Sequence, residues 1–221
     1  MPASHPQVPA SPGTAVRVLA TAEVVLIMGT IFLIIWVVKP LGRPSLDLSL
    51  RIFVGSLLLG SPWFHHDPRQ RLGLRFDTFW KALAGVLPVS LVAAGVAIGA
   101  GYFLASIDPP QNAALELAYY FAWALAQQYA LQSVILLRLE DAGLRRRAPL
   151  AAAALFSLVH APNPGLLILT FLGGLLWCST FRRHPNLFAV ALSHAALAVV
   201  VAATLPPEVT GGYRIGPAYL H

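Results

Sequence analysis

The segment Val16 to Val38, "VRVLATAEVVLIMGTIFLIIWVV", constrains this chain more than any other feature. An apolar stretch of about 20 residues, at 1.5 Å per residue, matches the roughly 30 Å hydrocarbon core of a bilayer. Backbone polar groups inside lipid must be satisfied within the segment, so such a stretch crosses as a helix. It is too long for the apolar region of a secretory signal. It is followed by "KPLGRP" rather than a small-residue cleavage site, and therefore reads as a retained first span.

Further apolar segments follow at about 80–106, 113–137, 148–161, 164–181 and 186–205. Only 11% of the chain is charged and its mean hydropathy is +0.69, against about 25% charged in a soluble domain. The predicted fold class is an all-α polytopic transmembrane bundle with six spans, or seven if the segment 46–64, "LDLSLRIFVGSLLLGSPWF", also crosses. That segment holds Asp47 and Arg51. Laid on the interface, it leaves 13 Lys and Arg on one side and 2, Arg17 and Arg214, on the other; as a crossing it leaves 11 and 4. The stronger asymmetry favours an interfacial helix on the cytoplasmic face and both termini outside. The expected organisation is a disordered Pro- and Ala-rich leader over 1–15, one transmembrane domain over 16–205 and a polar tail over 206–221.

The net charge of +6 comes from short basic clusters between apolar runs. "RRR" at 145–147 and "RRH" at 182–184 read as anchors near anionic lipid, not as a phosphate groove, so membrane lipid and no nucleic acid are the expected partners. "HHD" at 65–67 reads as a solvated turn facing headgroups. The lone Cys178 excludes an internal disulfide and reads as a small packing residue.

Polar residues inside the spans carry the functional signal. "YYFAWALAQQYALQSVILLRLED" places Gln127, Gln128 and Gln132 in a crossing helix, where an unpaired amide costs several kcal/mol. By helical rise, Gln127 lies about 10–15 Å from the cytoplasmic end of its span, His194 about 12 Å and His160 about 18 Å. The run 148–161 is only about 21 Å long by the same rise. It ends in "HAPNPG", where Pro162 and Pro164 deny the helix its donors, and irregular backbone at this depth is tolerated only inside protein or beside a wet cavity. Three polar residues from three spans thus share one slab of the membrane, the usual mark of a functional site. The alternative is plain helix–helix bonding, worth about 0.6 kcal/mol per hydrogen bond. Glu23, about 10 Å into the first span by rise, is a further candidate. It suits either acid–base work or a bond to a polar neighbour. Glu116 belongs at the start of its helix, where negative charge suits the macrodipole.

The order of these pieces resembles the CAAX prenyl protease and bacteriocin-processing (CPBP, or Abi) family of intramembrane peptidases. Members carry Glu-Glu-x-x-x-Arg, then Phe-x-x-x-His, then a late His-x-x-x-Asn. Here the corresponding stretches are "QQYALQ" at 127–132, "FSLVH" at 156–160 and "HAALA" at 194–198, with "RQRLGLRFD" upstream similar to the family's lead-in. The resemblance covers about 69–200. It implies an endopeptidase-type hydrolase acting on a membrane peptide or lipidated protein substrate, in a bacterial cytoplasmic membrane. Gln127, Gln128, His160 and His194 would occupy the catalytic positions, and Gln132 and Phe156 would contact substrate; Glu23, outside the stretch that carries the resemblance, joins them as a substrate-binding candidate by its depth in the first span. The family's glutamates, arginine and asparagine are replaced here by Gln127, Gln128, Gln132 and Ala198. A glutamine cannot accept a proton at neutral pH, and losing a positioned general base costs about 10²–10⁴ in rate. Three readings therefore stay open: an enzyme, a non-catalytic pseudo-peptidase binding a peptide or lipid in the same pocket, and a structural membrane protein. The sequence requires no cofactor. A divalent metal on His160 and His194 would need a third ligand.

Overall fold

The computed structural model describes residues 13–221, and these are helical with no strand among them. Most of the expected leader therefore lies outside the described residues, and Thr14 and Ala15 already belong to the first helix. Seven helices build the bundle: α1 Thr14–Val38, α2 Pro44–Phe64, α3 Phe79–Phe103, α4 Ala113–Asp141, α5 Ala148–Leu158, α6 Pro164–Arg183 and α7 Leu187–Thr204. A single turn, α8 Pro207–Thr210, follows. Four of them, α1, α3, α6 and α7, are long and apolar enough to cross a membrane. α4 runs without a break through a π-helical stretch, Tyr129–Leu136, that begins directly after Gln128.

Local sequence sets the helix starts. Asn112, Asn163 and Asn186 each accept a hydrogen bond from the backbone N–H three residues on, at 3.0, 3.1 and 3.0 Å, satisfying donors that a helix start leaves orphaned. Prolines sit in the first turns of α2, α5 and α6, where no donor is lost.

Contacts at the helix ends give each rod a direction. At one end lie Arg145–Arg147, and there Arg182 Nε forms an ion pair with Glu140 at 2.9 Å. α1 begins at this basic end: Arg17 lies against Gly143, and α1 packs on Leu137–Asp141. It finishes at the opposite end, where Ile35 meets Gly216 of the tail. α2 then returns beside it. The Leu58 carbonyl accepts from Tyr129 Oη at 3.3 Å, and His65 just past the helix reaches Glu23 at 2.8 Å. α2 thus packs antiparallel to α1 within the bundle. Among the described residues, α1 starts at the basic end, and the tail docks at the other.

α3 and α7 run parallel, joined by Ser90 and Ser193 at 2.9 Å and by Gly101 against Thr204. α4 is antiparallel to α7, and α5 and α6 form a hairpin. The connection before α3 is stitched to the α6–α7 turn. Leu187 N–H donates to the Gly73 carbonyl at 2.9 Å, Thr78 Oγ1 to Pro185 at 2.9 Å and Asn186 Nδ2 to Arg75 at 2.6 Å. Gly73 has φ +73°, and a Cβ there would lie 2.4 Å from the Phe181 ring, so only glycine fits this crossing.

Candidate functional site

α5 has 11 residues, about 16 Å at 1.5 Å per residue, and covers half a hydrocarbon core. The chain then turns through Val159–Asn163. Buried Asn163 holds this break: its Nδ2 donates to the carbonyls of Thr210 and Arg214 at 2.7 and 3.0 Å, while Gly216 N–H donates to Ala161 at 2.8 Å. The tail over 206–221 is therefore packed structure at the mouth of the broken helix.

His160 stands on this turn with Nδ1 2.9 Å from the Phe156 carbonyl. The Phe156 ring meets the rings of His160 and His194 edge-on, with centroids 5.2 and 6.1 Å apart. His194, near the middle of α7, stacks on Trp177 at 4.2 Å, and Trp177 Nε1 donates to Ser193 Oγ at 3.0 Å. Gln128 Nε2 donates to His194 Nδ1 at 3.1 Å, and Gln132 Nε2 donates to Gln128 Oε1 at 2.9 Å. Both glutamines are fully buried, whereas the two histidines keep some exposed surface. Gln132 Oε1 has no hydrogen-bond partner, and its side chain lies against the buried Cys178 thiol, a packing residue as expected.

Five expected residues therefore meet: Gln128, Gln132, Phe156, His160 and His194. Gln127 and Glu23 do not join them. Gln127 is partly exposed and makes no side-chain hydrogen bond among the described residues. Residues i and i+4 share a helix face and a neighbour one residue away does not, so packing that buries Gln128 with Gln132 turns Gln127 aside. Glu23 is bonded to His65 instead.

The expected solvated turn at 65–67 is also corrected. The Asp67 side chain is 1% exposed and pairs with Arg138, which is fully buried, and with Arg71. Arg71 reaches Asp141 at 2.5 Å. Arg138 Nη1 lies 3.1 Å from Asp141 Oδ2, close enough for an ion pair but not aligned as a hydrogen bond. Two acids and two arginines cancel at the basic end. Beside them, burial raises the Glu140 carboxyl above its ordinary range, opposed by Arg182. A buried charge must be paired, which explains why Asp67 is drawn out of solvent.

Trp177, Ser193, Asn163 and this ion cluster were not singled out as site residues from the sequence. The Pro break flags Asn163, and an arginine closing an apolar run flags Arg138, but Trp177 gives no signal distinct from a lipid-facing aromatic. No group of three metal-binding side chains occurs among the described residues. Two imidazoles without a third protein donor do not make a zinc site. Elsewhere, a hollow of about 400 Å³ at the tail end is lined by Asp108, Gln111, Glu116 and Tyr120, with Glu116 in the first turn of α4 as expected. Chemically, the central group is an uncharged set of hydrogen-bond donors and acceptors beside partly open imidazoles.

Residues 109–200 match the family model described as type II CAAX prenyl endopeptidase Rce1-like. This is 92 of 221 residues, and it contains all five convening side chains. The match supports the resemblance to the CPBP family, and with the apolar helices it points to a CAAX protease-like integral membrane protein. No curated protein and no solved structure matches the chain.

Proposed function

With similarity to type II CAAX prenyl endopeptidases as the premise, we propose that this chain is an intramembrane endopeptidase-type hydrolase. Its substrate is a membrane-embedded peptide or lipidated protein. The observation that carries the reading is the meeting of Gln128, Gln132, Phe156, His160 and His194, from three separate helices and one helix break, inside a bundle. His194 would stabilise the developing oxyanion, and the glutamines would orient it. Gln127, at the partly exposed edge, would contact substrate or water, while Glu23 would serve only the α1–α2 contact. The helix directions support seven crossings, with 11 Lys and Arg at the basic, cytoplasmic end and 4 at the other. The membrane is proposed to be a bacterial cytoplasmic membrane.

A second reading has its own support. Both buried glutamines are neutral and already hydrogen-bonded, which suits a pseudo-peptidase that binds a peptide or lipid without cleaving it. A panel of membrane peptides offered to the purified protein separates the two. Turnover lost in His160→Ala and in His194→Ala supports the hydrolase. Saturable binding lost in the same variants, without turnover, supports the binding protein. Melting-temperature loss alone returns the cluster to helix bonding. Cleavage that emerges only in Gln127→Glu/Gln128→Glu/Gln132→Arg identifies a disarmed relative.

A further inference from the structure

We infer that His160 and His194 form an opposite-tautomer pair, in which His160 Nε2 is the proton acceptor and His194 Nε2–H the donor. The pair itself stands on hydrogen-bond geometry, and its use in hydrolysis rests on the reading above.

The helix break makes the first half. At the end of α5, His160 N–H turns to the Ser157 carbonyl at 2.8 Å and not to Phe156 four residues back. The Phe156 carbonyl is thereby one of the acceptors a helix end leaves orphaned. His160 Nδ1 fills it at 2.9 Å. A carbonyl oxygen only accepts, so Nδ1 carries the proton, and a neutral imidazole then has a lone pair on Nε2.

The amide chain makes the second half. Gln132 Nε2 occupies Gln128 Oε1, so Gln128 presents its N–H to His194 Nδ1. That nitrogen accepts, and the His194 proton sits on Nε2. Trp177, fixed by its bond to Ser193, holds the ring from one face. One imidazole accepts and its neighbour donates, with no carboxylate needed.

In hydrolysis, water gives a proton to His160 Nε2 while its oxygen adds to the peptide carbonyl carbon. The carbonyl π electrons move to oxygen, which accepts a hydrogen bond from His194 Nε2–H. The intermediate collapses, the C–N bond breaks, and the proton on His160 passes to the leaving nitrogen. One water is consumed, yielding one acid and one amine.

The test is nitrogen-15 NMR of histidine-labelled full-length protein in lipid nanodiscs at neutral pH, with the signals assigned by His160→Gln and His194→Gln. Expected are His160 protonated at Nδ1 and His194 at Nε2. A His160 protonated at Nε2, or a His194 protonated at Nδ1, overturns the pair. This readout needs no substrate and is taken on the wild type. With a cleaved peptide in hand, His160→Ala is expected to lose about 100-fold or more in kcat, and added imidazole is expected to restore part of it. Retention within about threefold, or loss without rescue beside an intact fold, overturns the proton step. Wild type that cleaves nothing, with the tautomers as stated, overturns the hydrolase and leaves the pair standing.

Discussion

Two polar clusters sit in this bundle and solve the same problem in opposite ways. At the basic end, Asp67, Arg71, Arg138 and Asp141 bury full charges and cancel them in pairs. In the centre, Gln128, Gln132, His160 and His194 meet with no carboxylate and no arginine among them. Position explains the difference. Near a helix end, water and headgroups lower the desolvation of an ion pair, whereas at mid-membrane a charge costs about 2.5–3.5 kcal/mol even on the mildest scale. The charged cluster clamps the loop after α2 onto α4. The neutral cluster leaves imidazole surface available for chemistry.

Breaking the first cluster is the harshest test of this contrast. Arg138→Met leaves Asp67 buried with one partner fewer, and a loss of about 3–5 kcal/mol is expected, read by reversible unfolding in mixed micelles. Asp67→Asn/Arg138→Met is expected to recover part of that loss. A single variant as stable as wild type would show that the clamp carries no weight.

Placing charge in the neutral cluster comes next. Gln128→Glu is expected to cost about 2–3 kcal/mol at neutral pH, with stability rising again as acid protonates the new carboxyl. Adding Gln132→Arg is expected to reverse much of this loss, because residues 128 and 132 are already bonded at 2.9 Å. A Gln128→Glu protein unaffected by either change would mean that the centre is wetter than its burial implies.

Removing an amide is milder. Gln132→Leu strips one hydrogen bond from Gln128 but also removes the unpartnered Gln132 oxygen. A loss of about 1 kcal/mol or less is expected in the same unfolding assay. A loss rivalling that of Arg138→Met would erase the distinction between the clusters.

The smallest effect belongs to an exposed pair outside both. Arg75 holds the Asp77 carboxyl below its ordinary range by hydrogen bonding and charge. Its contribution is present at neutral pH and is lost as pH falls through the lowered folded value, below 3.8. Asp77→Asn is expected to flatten that acid limb slightly, and an identical pH curve would remove the pair from the account.

Much of the site was legible because spacing along a helix is geometry. Gln128 and Gln132 are one turn apart, Phe156 and His160 are one turn apart, and "HAPNPG" cannot stay helical. The path of α2 was not legible. Asp47 and Arg51 neutralise each other one turn apart at 2.5 Å, so the segment suits a surface as well as a crossing, and charge counting carries no information on which face of it packs against α1. Asp67 misled for a related reason: beside Arg69 and Arg71 it reads as a solvated charge, and only its partner on α4 draws it inward.

Alone, the order of residues determined that the chain is helical, that it belongs in a membrane, that one helix breaks beside His160, and that its amides and imidazoles lie near a common depth. These follow from rise per residue, hydropathy and the missing proline donors, all local properties. Tertiary packing decided the direction of each rod, the choice of Gln128 over Gln127, the pairing of Glu23 with His65 and the bonds that divide acceptor from donor between two histidines. Those depend on which faces meet, and a single turn of helix leaves every face equally available until a neighbour covers one.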